Sequence, residues 1–145
     1  MIPIKAVNHV GIRITEKSRS VPFYENLGFE FFGDAGFEEG HPIIMRHPSG
    51  VVLNLLGPAN MPGDTNILMD VDDKYPGITH VALTVDSLQE TRAFMEANEI
   101  AITGSFSFGN MSAVFIRDPD RNVIELDAYS DSADGKDEGD YSEHP

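Results

Sequence analysis

The chain repeats itself once, at a single spacing of 71 residues, and this feature limits the possible folds more than any other. HVGIRI, which starts at His9, falls on HVALTV at His80, and Phe23 and Glu25 of FYEN fall on Phe94 and Glu96 of FMEA. The same shift carries Gly33 onto Gly104, Arg46 onto Arg117, Pro48 onto Pro119, Val52 onto Val123 and Leu55 onto Leu126. One offset that holds without a gap over such a length marks two copies of one supersecondary unit, residues 5–57 and 76–129. A segment rich in Gly, Pro and Asp, residues 58–75, joins them and is read as a linker, although its Met61, Ile67, Leu68 and Met69 would also suit a lid or a dimer contact.

Each copy reads as a strand, a helix and three further strands. In the second copy ITHVALTV alternates as a strand does, and Asp86 with Gln89 forms a capping-box-like start to a helix over SLQETRAFMEAN that ends near Asn98. IAITGSFSF, NMSAVFIRD and NVIELDAY follow as strands, separated by Gly109-Asn110 and by the Asp118-Pro119-Asp120 turn. In the first copy Ser18 or Ser20 caps a helix that holds Pro22 in its first turn, where a missing N–H costs little, and Gly28 ends it. The expected fold is α+β: two tandem βαβββ modules forming a curved, cup-shaped mixed sheet with helices outside, in one domain over residues 1–129.

From Ser130 onward SDSADGKDEGDYSEHP holds six acidic residues, one Lys and no Ile, Leu, Val, Phe or Met, so residues 130–145 are expected to form a disordered acidic tail. A formal net charge of -14 and the absence of any Lys/Arg cluster argue against nucleic acid or an anionic membrane as partner. The N-terminal residues lack the pattern of a signal peptide, and no run reaches the ~18 apolar residues of a membrane helix, so a cytoplasmic protein is expected. With no Cys in the chain, thiolate nucleophiles and Cys-ligated metals are excluded, and any metal must sit on nitrogen and oxygen.

Alternation decides which faces carry the polar residues. The first strand sets His9, Gly11 and Arg13 against Val10, Ile12 and Ile14, and the second copy sets His80, Ala82 and Thr84 against Val81, Leu83 and Val85. The last strand groups Glu125 with Val123 and Asp127, while Ile124 and Leu126 turn to the helix. A lone strand histidine is more often a hydrogen-bonded core residue than a ligand. Glu125, however, is a carboxylate inside an apolar string and is costly to bury unless paired, protonated or on a metal. His9, His80 and Glu125 together are therefore read as a 2-His-1-carboxylate metal set with open positions for substrate, water or dioxygen.

These marks, HV opening each copy, FYENLGF in the first and DPDRNVIEL in the second, resemble the vicinal oxygen chelate superfamily over residues 5–129. That superfamily includes glyoxalase I, methylmalonyl-CoA epimerase, fosfomycin resistance enzymes, extradiol dioxygenases and metal-free bleomycin-binding proteins. The resemblance implies four ligand positions on the first and last strands of each copy, which map onto His9, Asn54, His80 and Glu125. It also implies a homodimer and one divalent metal, Fe2+ or Mn2+ leading, with Zn2+, Ni2+ or Co2+ as alternatives.

Asn54 stands where glyoxalase I carries a carboxylate, and an amide cannot act as a proton-accepting base. The open triad is similar to that of the extradiol dioxygenases, and the fosfomycin enzymes share it. The leading expectation is thus a metal-dependent enzyme that chelates neighbouring oxygens of a small substrate and cleaves a catechol-like ring with oxygen. A glyoxalase-type lyase or isomerase, with Glu125 as ligand and proton carrier, is the second reading. A metal-free small-molecule binding or resistance protein is the third. His41, Tyr24, Tyr75 and Tyr129 are candidate general bases with structural roles to weigh against that. Arg13 is a candidate substrate contact, and His47, before Pro48, is read as a turn residue.

Overall fold

The computed structural model describes residues 1–61 and 63–130, and within them the βαβββ order occurs twice. Unit 1 comprises Met1–Asp64 and unit 2 begins at Thr65. Unit 1 contains β1 (Val10–Arg13), α1 (Lys17–Asn26), β2 (Glu30–Asp34), a 3-10 turn (Phe37–Glu39), β3 (Ile43–Arg46) and β4 (Val52–Leu56). Unit 2 contains β5 (His80–Thr84), α2 (Leu88–Ala97), β6 (Ile102–Phe108), β7 (Met111–Arg117) and β8 (Val123–Tyr129). The sheets are mixed and four-stranded, ordered β1-β4-β3-β2 and β5-β8-β7-β6. In each, the first strand runs parallel to the last and the remaining pairs are antiparallel. The acidic tail expected from Ser130 lies outside the described residues apart from Ser130 itself.

The spacing of 71 persists in the hydrogen-bonding register. Gly11 opposes Asn54 in unit 1 as Ala82 opposes Glu125 in unit 2. The register of β2 against β3 slips between Phe31 and Gly33, and that of β6 against β7 slips at the equivalent place, between Ile102 and Gly104. A bulge reproduced at the same position re-aims each edge strand in the same way, as expected of copies of one unit. The left-handed positions repeat too: Gly28 (φ 97) corresponds to Glu99 (φ 56), and Gly50 (φ 102) to Arg121 (φ 69).

The helices form where propensity and caps allow. Ser87, one residue beyond the expected Asp86, caps α2 by accepting the Glu90 N–H at 3.2 Å, so the capping pair in DSLQE is Ser87 with Glu90. A Ser hydroxyl three residues before a Glu fits this geometry as well as Asp86 with Gln89. Neither Ser18 nor Ser20 caps α1. It starts after Glu16 without a side-chain cap, Ser20 is fully buried, and Pro22 lies in the second turn rather than the first. There the ring removes an N–H that the helix would otherwise use. The helix persists because tertiary burial of Tyr24, edge-on to Phe23 and Phe29, outweighs the lost bond.

Alternation places the core as expected. β1 and β5 expose their histidine-bearing face, and β4, β7 and β8 bury Leu53, Leu55, Val114, Ile116, Ile124 and Leu126. In unit 2, α2 packs against β7 and β8. Each such fully buried aliphatic side chain contributes about 1.5–3 kcal/mol. Gly57, after β4, lies against the buried Phe37 ring: a Cβ there would come within 1.9 Å of Cε2, so no other residue fits without moving the ring.

The segment read as a linker is tied down in its second half. Asp70 accepts two hydrogen bonds from Arg117 (2.9 and 3.1 Å), and the Asn66 amide donates to the Arg121 carbonyl at 3.1 Å. A bidentate guanidinium–carboxylate pair with a nearly buried arginine fixes this stretch to the β7–β8 end of unit 2.

Candidate functional site

In unit 2 the parallel pairing of β5 with β8 aligns His80 with Val123 and Ala82 with Glu125. Successive residues on one face lie about 6.6 Å apart along a strand. A His at the first position can therefore reach diagonally to a carboxylate beside the third. His80 Nε2 lies 2.9 Å from Glu125 Oε2. The ring is turned that way by a second contact: the Thr79 hydroxyl is 2.7 Å from His80 Nδ1, which leaves Nε2 for the carboxylate. Phe115 supports the ring edge-on, with centroids 6.2 Å apart.

Glu125 is 8% exposed, and its Oε2 faces the His80 imidazole. Asp127, two residues on and on the same face, pairs across the sheet with Thr84 and Ala113. Burial pushes its carboxyl up to about 6, the adjacent Glu125 charge and a hydrogen bond with Glu125 add to the rise, and His80 opposes it. Its buried Oδ1 has no hydrogen-bond partner among the described residues. The site in unit 2 is thus a row, His80–Glu125–Asp127, in which the imidazole faces one carboxylate and burial raises the second carboxyl to about 6.

Asp127 is a candidate site residue to which the sequence reading assigns no role. It was placed on the face of Glu125 but given no role, although an acidic residue two positions from a buried glutamate in NVIELDAY was the available signal.

In unit 1, His9 occupies the position equivalent to His80. It is exposed, and its Nδ1 donates to Asn8 Oδ1 at 2.7 Å, which leaves Nε2 as an acceptor. Asn54, opposite Gly11, takes the place of Glu125, and Leu56 takes the place of Asp127. Arg13 is exposed on the His9 face of β1. His41 is exposed on the turn after the 3-10 segment, where its backbone N–H donates to the Gly36 carbonyl. Tyr24 is wholly buried in the unit 1 core, so it is a packing residue and not a base. Tyr75 and Tyr129 are exposed. His47 has the turn role expected of it: its Nδ1 accepts the Ser49 N–H at 3.1 Å, as Asp118 in unit 2 accepts those of Asp120 and Asn122.

The donor chemistry suits a divalent metal. Each histidine has Nδ1 engaged by a neighbouring polar oxygen, as a ligating imidazole does, while His80 Nε2 is turned to Glu125 Oε2. The buried carboxylate supplies the charge. Among the described residues no group of three or more His, Cys, Asp or Glu is drawn together as a preformed metal cage, and no helix is long and apolar enough to cross a membrane.

This architecture has relatives. The chain is 24% identical over 135 residues to the glyoxalase domain-containing protein RDO1 of Mycosarcoma maydis, covering 90% of this chain and 72% of that one. A glyoxalase family protein from Enterococcus faecalis superposes with a TM-score of 0.72 at 23% identity, over 87% of this chain and 99% of that one. The antibiotic binding protein TnmS3 from Streptomyces sp. CB03234 superposes with a TM-score of 0.67 at 21% identity, over 90% of this chain and all of the other. At these identities the two structures establish the fold alone. Residues 6–126 match the family model for the glyoxalase/bleomycin resistance protein/dioxygenase superfamily, and with its duplicated βαβββ units the chain belongs to that superfamily.

Proposed function

We propose that the chain is a metal-dependent enzyme that binds neighbouring oxygens of a small substrate and cleaves a catechol-like ring with oxygen. The observation that carries this reading is the His80 Nε2–Glu125 Oε2 approach of 2.9 Å, with the imidazole oriented by Thr79 and the carboxylate almost out of water. His80 and Glu125 are the ligands contributed by unit 2, and His9, the counterpart of His80, is the third. A divalent ion, Fe2+ or Mn2+ leading with Zn2+, Ni2+ or Co2+ as alternatives, would supply Lewis-acid charge and open coordination positions there.

The chain's own residues do the rest. Thr79 and Asn8 hold the two imidazole rings in place through Nδ1. Asp127 lies on the same face of β8 as Glu125 and is the nearest second carboxyl to it along the strand. Asn54 has no titratable proton, so a proton shuttle between two carboxylates on opposite units, as a glyoxalase-type reaction would use, lacks one partner. Arg13 is retained as a proposed substrate contact and His41 as a proposed general base.

A second reading, a binding protein that works without metal, has one observation in its favour: His80 and Glu125 already satisfy each other directly. A relative of this fold is described as an antibiotic binding protein. Metal content by mass spectrometry separates the two. One equivalent in the wild type, lost in His80→Ala, supports the enzyme. Oxygen uptake with catechols, run beside a hemithioacetal isomerisation assay, then assigns the reaction.

A further inference from the structure

The bulge that both units share carries different chemistry in each. Its extra residue is Phe32 in unit 1 and Thr103 in unit 2. Thr103 turns its hydroxyl back to the Phe115 carbonyl at 3.3 Å. Beside it, Arg117 binds the Asp70 carboxylate through both terminal nitrogens, at 2.9 and 3.1 Å. Arg46, which the 71-residue shift sets on Arg117, instead stacks on the Phe32 ring, with Cζ 3.4 Å from the ring centroid.

Among the described residues no carboxylate is within ion-pair distance of Arg46. Glu30 stands directly opposite it on β2, and the chain holds 24 acidic residues against 10 Lys and Arg, so acid is not what this position lacks. A ring beneath one face of a guanidinium leaves the N–H donors pointing outward in its plane, where a carboxylate is met by two parallel bonds. The ring also restricts the side chain before a ligand arrives, which lowers the ordering cost of binding. Arg46 is thus a second copy of the Arg117 seat, with the carboxylate left to another molecule.

Register sets this seat on the face of His9. Gly11 lies beside Asn54 and Asn54 opposes Ile44, whereas the alternate set, Ile43, Met45, Leu53 and Leu55, is fully buried. Arg46 is two residues from Ile44 and His9 is two residues before Gly11, so alternation puts both on the side of Asn54. β3 is two strands from β1, about 10 Å across the sheet. Arg46 is exposed and Phe32 is 57% exposed, so a small molecule reaches both.

We propose that Arg46 and Phe32 form a carboxylate-binding site, and that a small molecule taken up on the His9 face carries a carboxylate held there. The seat is built by unit 1 alone, so it rests neither on a metal nor on ring cleavage. Glu30 sets its selectivity, because a negative charge beside the guanidinium repels a dianion such as phosphate more than a monocarboxylate.

An exposed ion pair is weak, so binding is read at the arginine itself. Full-length 15N-labelled protein is titrated at fixed ionic strength with benzoate, its neutral analogue benzamide and inorganic phosphate. The Arg46 Nε–H and the backbone N–H groups of residues 30–33 and 46 are followed by NMR. Benzoate is expected to shift these resonances saturably, with a Kd at least roughly fivefold below those of benzamide and phosphate. The Arg117 Nε–H, beside a seat filled by Asp70, should stay in place. Arg46→Lys keeps the charge and loses the fork, and should raise the benzoate Kd roughly three- to tenfold; Phe32→Leu should raise it roughly threefold. Glu30→Gln should lower it roughly two- to fourfold, a gain that a misfolded protein does not produce. No saturable shift, an equal response to benzamide, or a Kd unchanged in Arg46→Lys and Glu30→Gln overturns the proposal. So does an Arg46 shift that grows with protein concentration when no acid is added, which assigns the seat to a carboxylate of a second copy.

Discussion

Arg117→Met tests whether residues 66–70 are a structural part of unit 2. The wild-type guanidinium is 6% exposed and makes two bonds to Asp70 (2.9 and 3.1 Å) and one to the Arg121 carbonyl (2.9 Å). Methionine keeps most of the stem and removes all three. Charge-assisted bonds contribute about 1.5–3 kcal/mol in net terms, and Asp70, 27% exposed, recovers water when its partner goes, which caps the loss. The expected destabilisation is about 2 kcal/mol, or roughly 4–8 °C in Tm for a chain of this length. Asp70→Asn should cost about 1 kcal/mol, and the double mutant should show a coupling of about 1 kcal/mol. The Arg117 contacts hold the Asp70 carboxyl below its usual range. The stability it contributes is therefore present above the unfolded carboxyl's pKa of 3.8 and lost as pH falls through the lower folded value. Urea unfolding of the four proteins at pH 7 gives every term. A loss under about 0.5 kcal/mol for Arg117→Met, or no coupling with Asp70→Asn, would refute the claim that the segment is clamped.

Three further outcomes follow from the geometry. Glu99 sits at φ 56 where the equivalent residue in unit 1 is Gly28, so Glu99→Gly relieves left-handed strain and should raise stability by about 0.5–1 kcal/mol in urea unfolding. Gly57→Ala sets a methyl 1.9 Å from the buried Phe37 ring and should lower stability by about 1–3 kcal/mol in the same assay. The Asp127 carboxyl is raised from 3.8 to about 6, so folded chains hold its proton longer than unfolded ones, and the associated stability is lost as pH rises through that window. In chelator-treated protein, the Tm of Asp127→Asn relative to wild type should therefore climb between pH 4 and pH 6 and stay level above it, and a flat difference contradicts the raised value.

Most of the fold was legible because one periodicity was copied. The 71-residue shift that aligned His9 with His80 also aligns sheet registers, bulges and left-handed turns. The faces of β1 and β5 followed from simple alternation, since only one side of each meets the core. Local details were less legible. Pro22 looked like a first-turn residue because the uncapped start at Glu16 leaves no sequence mark, and DSLQE contains two overlapping capping patterns. Glu99 and Arg121 hide their turns because the second copy has lost the glycines that announce them in the first.

The candidate site was legible in part: alternation grouped His80 and Glu125, which the structure sets 2.9 Å apart, and left the surroundings open. Glu125 stood out as a charge in an apolar string, but the meaning of Asp127 depends on burial, which the sequence does not give.

The central claim is that His80 and Glu125 anchor a catalytic metal. Its most direct measurement is metal content by inductively coupled plasma mass spectrometry for purified wild type, His9→Ala, His80→Ala and Glu125→Gln, after dialysis against Fe2+ or Mn2+ under argon. The account predicts one equivalent per chain in the wild type and a loss of at least roughly tenfold in each variant, in line with the removal of a ligand. One equivalent retained in both His80→Ala and Glu125→Gln, with folding intact, would contradict it.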